Sequence, residues 1–172
     1  YISRNGTNKS IQWKEKTYYV NIIAAASRVM GTKEAIYTTQ TEAPHYFQRS
    51  EQTHMSPDSS LNHLDGFGAT FQIGKAGNSK WMYTFWVSAR SPGFHLNDVG
   101  YINRTDEIQQ IFWVGYRQYE PVGIFRNINL NFNQWFATTF GLEKKYFGGN
   151  FNAHFTFTNY WTFGFNIDRD GN

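Results

Sequence analysis

The sequence contains no cysteine. That excludes disulfides, thiolate metal sites and CxxC redox chemistry. Proline is scarce, and only 17% of the residues are charged. The charges form no block of one sign, and the net charge of +3 carries no nucleic-acid footprint. No run of about 18 apolar residues occurs, so no helix can cross a membrane. No segment shows helical periodicity. No zinc-type H-E-x-x-H spacing and no G-x-S-x-G elbow occurs; Ser56 and Ser91 stand in neither. No cofactor is expected. The chain starts at Tyr1 with no visible leader and stops in the turn-like "DRDGN", so both ends are expected to be cut from a longer protein.

Aromatic residues are abundant instead. They make up 19% of the chain, yet mean hydropathy is only −0.58, because Asn, Thr, Gln and Gly are abundant too. The two populations alternate. In "FNAHFTFTNYWTFGFNI", residues 151–167, the odd positions are Phe, Ala, Trp or Ile except for Asn159. The even positions are mostly small and polar, among them Asn152, His154 and Thr156. Period two means a β-strand with one apolar and one polar side. A two-residue turn at Thr158-Asn159 would put Trp161 on the polar side, so the unbroken phase predicts one long strand.

The pattern recurs. Residues 124–140 set Ile128, Leu130, Phe132 and Phe136 against Asn127, Asn129, Asn131 and Asn133. Asn is a poor strand former, and four in alternation suit a water-lined surface. Together the alternating segments predict seven strands, at 11–29, 33–41 (the weakest), 66–75, 78–90, 108–118, 124–140 and 150–167. Short connections are expected near 30–33, 76–78 and 119–123, and long ones at 42–65, 91–107 and 141–149. In an up-and-down meander these sort to opposite rims, as in outer-membrane barrels. The expected fold is therefore an all-β, antiparallel, up-and-down transmembrane β-barrel in a bacterial outer membrane. Asn127, Asn129, Asn131, Asn133, Asn152, His154 and Thr156 are expected to face its lumen. Seven strands leave two open edges, which predicts a fragment of a larger barrel. Outer-membrane lipids are the expected partners, with other envelope proteins and glycans as further ones.

Sites are sparse. His45, His54 and His63 share the segment 42–65 with Glu42, Glu51, Asp58 and Asp65. Without a ligand motif these read as an exposed polar loop, with no metal. Arg90, Asp98, Arg104 and Asp106, with Glu107, form a loop charge cluster. Two carboxylates there admit glycoside chemistry, but ion pairs that order a rim loop explain them better. No catalytic motif is present.

The pieces "YFQRS" (46–50), "RSPGFHLNDVGY" (90–101), "WVGYR" (113–117), "GIFRNINLNFNQW" (123–135) and "NYWTFGFN" (159–166) resemble a family of uncharacterised Bacteroidota surface proteins. The resemblance spans about residues 11 to 167. It implies a C-terminal outer-membrane barrel behind an N-terminal carbohydrate-binding family 9-like domain, which this chain lacks. Some members are labelled membrane-associated hydrolases. The role implied is structural, in transport or in an envelope complex. The alternative is a surface glycan-binding protein or hydrolase whose activity lies mainly outside this segment.

Overall fold

The computed structural model describes residues 2–50, 53–77, 79–96, 102 and 104–171. Eight strands follow one another as β1 (Ile2–Trp13), β2 (Tyr18–Met30), β3 (His63–Lys75), β4 (Trp81–Arg90), β5 (Glu107–Gln118), β6 (Phe125–Thr138), β7 (Lys144–Phe157) and β8 (Thr162–Gly171). One helix, α1 (Lys33–Thr41), lies between β2 and β3. Every strand pairs antiparallel with its neighbours in sequence, giving one sheet in the order β1 to β8. The sheet is not closed, and β1 and β8 are its edges.

Three expectations are corrected, each for a local reason. The segment 11–29 is not one strand. It contains the β1–β2 hairpin, whose turn holds Lys14, Glu15 and Lys16 at φ 48, 55 and 66°. Left-handed residues are the habit of Gly and Asn, so a Lys-Glu-Lys turn carries no sequence signal. The segment 33–41 is a helix, not a strand. Thr32 caps it, its hydroxyl accepting from the Ala35 amide at 3.3 Å. Thr38, Thr39 and Thr41, β-branched residues common in strands, here donate to carbonyls four residues back.

The segment 150–167 is two strands, β7 and β8, joined across Thr158, Asn159 and Tyr160. The Phe157 amide donates to Trp161 O at 2.8 Å, and Thr156 faces Thr162. A three-residue turn pairs odd with odd, so the apolar phase passes through it unbroken. Tyr160, at φ 69°, supplies the left-handed position such loops use. The strands therefore number eight, not seven. The connections change as well. Residues 30–33 lead into α1, and β7 begins at Lys144, so only 139–143 connect β6 to β7. Four tight turns lie at one rim (14–17, 76–80, 119–124 and 158–161), while 31–62, 91–106 and 139–143 lie at the other.

The register keeps the two faces separate across the whole sheet. Tyr83, Val114, Phe132, Phe151 and Ile167 form one row. Thr84, Trp113, Asn133, Asn150 and Asp168 form a row on the opposite face. No layer of the described residues covers the aromatic face, and its Phe67, Phe71, Phe85, Phe163 and Ile167 are exposed. The enclosed core lies instead at the long-loop rim, where Ile36, Phe47 and Leu64 pack with Val29, Met55 and Leu61.

Candidate functional site

The polar face is covered at the long-loop rim, and two glycines in β3 make that possible. A Cβ on Gly66 would collide with the Phe94 backbone, and one on Gly68 would lie 2.5 Å from the Phe94 ring. The strand thus omits side chains where the loop 91–106 descends on it. Ser91 fastens the start of that loop, its hydroxyl accepting from the Phe67 amide at 2.8 Å. The His95 amide donates to Ser27 Oγ at 3.0 Å. Phe94 is buried beneath. Between loop and sheet lies a cavity of about 370 Å³, reached by Ile23, Ala25, Trp86, Arg90, Phe94 and Ile102 among others.

The segment after α1 lies over the same rim. Buried Gln40 holds the Asp58 backbone from both sides, donating to its carbonyl at 3.0 Å and accepting from its amide at 2.7 Å. Two hydrogen bonds from Ser60 hold the exposed Asp58 carboxyl below its ordinary range. His45 is fully buried, against the expectation of an exposed polar loop. Its Nδ1 lies 2.8 Å from Pro92 O, and its Nε2 lies 3.1 Å from His95 Nδ1. A carbonyl only accepts, so neutral His45 carries its proton on Nδ1 and accepts from His95 at Nε2. Thr105 closes the group by donating to Pro44 O at 3.0 Å.

Burial lowers the pKa of His45 below 6.5, outweighing the Pro92 hydrogen bond, which raises it; His95 lowers it further, and Glu42 raises it. The unfolded chain then binds more protons below pH 6.5, so stability is full above that pH and falls as pH drops through it. The cap is expected to be less stable at pH 5 than at pH 7.5. Proteolysis of the loop rim at the two pH values checks this, with His45→Asn losing most of the difference. An equal rate at both pH values in the wild type contradicts it.

The charged residues of the rim sort into two groups. Glu107, almost fully buried, pairs with Arg90 and lies 3.1 Å from Lys145 Nζ. Asp106, fully buried, accepts from the Phe140 amide at 3.0 Å and lies 3.0 Å from His54 Nε2. The other His54 nitrogen lies 3.6 Å from Glu143 Oε2. Hydrogen bonds from Thr53 and Thr139, with His54 nearby, hold the Glu143 carboxyl below its ordinary range against desolvation, the largest single influence. A His–Asp pair is half of a general-base arrangement. Here the second nitrogen also faces a carboxylate, and the contacts tie His54 to Asp106, which holds the Phe140 amide, and to Glu143.

Of the expected charge cluster, Arg90 and Asp106 share this rim but bind different partners. Arg104 is exposed, and Asp98 lies outside the described residues, as does Glu51. His63 stands in β3, 3.9 Å from Asp65. No group of three metal-binding side chains occurs among the described residues. Asn127, Asn129, Asn131 and Asn133 do share one face with Thr156, His154, Asn152 and Asn150. Asn131 donates to Asn152 at 2.9 Å, and Asn133 donates to Asn150 at 2.7 Å. The pairing of His45 with His95 and the bridging role of Glu107 carry no motif. The G-x-G of β3 was the available signal for the loop's close approach.

A family described as a domain of unknown function (DUF5916) matches residues 7–171. The chain belongs to that family. The match takes in nearly the whole sheet together with the loop layer, so the DUF5916 domain includes both the polar face and its cap. No curated protein and no solved structure matches the chain.

Proposed function

We propose that this DUF5916 chain forms part of the wall of a bacterial outer-membrane β-barrel with a structural, transport or envelope-complex role. The observation that carries the reading is the uncovered aromatic face and its border. At the tight-turn rim Trp13 stacks on Tyr18, Trp81 packs on Tyr116 at 4.8 Å, and Tyr160 and Trp161 are 72% and 75% exposed. Such residues suit a membrane–water interface, with an apolar band behind them for lipid. In water, an aromatic face of this extent would drive association.

Strand length supports the same reading. Strands of 10 to 14 residues extend about 33–46 Å, which at a tilt near 45° crosses about 23–33 Å. Open edges are not tolerated in hydrocarbon, so in a membrane β1 and β8 would each need a partner strand, from each other or from another segment. The resemblance to Bacteroidota surface proteins adds a family 9-like carbohydrate-binding domain ahead of the barrel. A glycan-binding or hydrolase activity would then reside mainly outside this segment.

The full-length protein is expected to fractionate with outer membranes and to need detergent for extraction. These 172 residues hold no cysteine, so single cysteines placed in them are compared with the parent protein as background. Ser59→Cys, in the long-loop rim, is expected to react with an impermeant thiol reagent on intact cells. Glu15→Cys, in a tight turn, is expected to stay unlabelled. Recovery in the soluble fraction would refute the barrel, and reversed labelling would invert it.

A further inference from the structure

We infer that the cavity between the sheet and the loop 91–106 is a binding site for a small amphipathic carboxylate. Its volume of about 370 Å³ lies within the range of small-molecule sites, about 300–1,000 Å³. The lining is unequal. Phe94, Leu96 and Ile102 form the loop side, and Ile23, Ala25 and Gly68 form part of the sheet side. Those surfaces accept an aliphatic or aryl body.

Polar groups gather on β3, β4 and β5, where Thr70, Ser88, Gln109 and Arg90 line the cavity beside Trp86. Gln109 already donates to the Tyr146 hydroxyl at 2.9 Å, and Arg90 is the only charged residue among the described residues of the lining. Its side chain keeps 31% exposure, and Nη2 is the one nitrogen given to Glu107. Glu107 is also paired with Lys145, so two cations share one carboxylate. Asp106, the next anion in sequence, is engaged by His54 and the Phe140 amide. An incoming carboxylate would meet the partly exposed Arg90 fork while an apolar tail fills the rest, and Arg suits carboxylate recognition through its fixed donors.

The described lining comes from the sheet and from Phe94, Leu96 and Ile102, so the inference does not rest on the membrane reading. Octanoate is the probe, titrated calorimetrically into the full chain. The protein is held in nanodiscs, with empty nanodiscs subtracted, or in plain buffer if it proves soluble. Saturable binding is expected, with 1-octanol at least about tenfold weaker, a difference of roughly 1.4 kcal/mol. Ser88→Leu fills the cavity without touching any ion pair, and it is expected to weaken octanoate by about tenfold or more at unchanged melting temperature. Arg90→Gln is expected to abolish the preference for octanoate over octanol. Absence of saturable binding, equal affinity for octanol, or octanoate binding undiminished by Ser88→Leu overturns the inference.

Discussion

Replacing Glu107 with alanine is expected to destabilise the loop rim by about 3 kcal/mol. The carboxylate is almost fully buried and holds two cations, Arg90 on the neighbouring strand and Lys145 at the start of β7. Removing it leaves both cations facing each other with no anion between them. Loss of one partner from a buried ion pair typically costs about 3–5 kcal/mol. The lower end applies because Arg90 keeps part of its surface in solvent and can turn toward it. Glu107→Gln retains hydrogen-bonding capacity and is expected to lose less. Urea unfolding, read out by protease access to the loop rim, measures both changes. A loss below about 1 kcal/mol for the alanine variant would place the cluster among ordinary surface pairs.

Arginine at Phe151 is expected to cost about 2–4 kcal/mol, and arginine at the adjacent Asn152 much less. The two residues lie near the middle of β7 and point to opposite faces. At mid-strand the outward position would sit near the centre of the bilayer, where a guanidinium is most expensive. Asn152 loses its hydrogen bond from Asn131, worth about 1 kcal/mol, but stays among polar neighbours. Phe157 is a poorer place for the comparison. The β7–β8 turn puts it at a strand end, where the penalty falls to about 0–1 kcal/mol. Equilibrium unfolding of both variants in the same lipid decides the matter. Equal losses at Phe151 and Asn152 would remove lipid from the aromatic face.

Alternation made most of the sheet legible, because a period of two is a direct consequence of strand geometry and survives any tertiary setting. It located β3 to β6 closely and separated the two faces correctly. It failed where the same periodicity has two causes. A three-residue turn preserves parity, so β7 and β8 were indistinguishable from one strand until their pairing was visible. A turn of charged residues at 14–16 displayed none of the usual glycine or asparagine. Threonines that favour strands were turned to helix by a cap and by the burial of Ile36 and Gln40 on one face. The rim was the least legible part. His45 meets His95 across 50 residues, and Lys145 meets Glu107 across 38. No local pattern encodes such meetings. They follow from where the meander returns each loop, which is a property of the whole sheet.

Every one of the seven strand pairings joins neighbours in sequence. Four of them are closed by tight turns, so β1–β2, β3–β4, β5–β6 and β7–β8 are each able to find their register without waiting for a distant segment. Low sequence separation between contacts means little chain entropy is lost before each pairing is rewarded. The connection 31–62, with its own small core and helix, is longer than 91–106 and 139–143 and closes the largest loop before its strands can join. The slow step of assembly is therefore expected at the β2–β3 seam, where Gly66 and Gly68 must also receive the Phe94 loop. The rim that caps the polar face is then expected to form last, onto hairpins already in register.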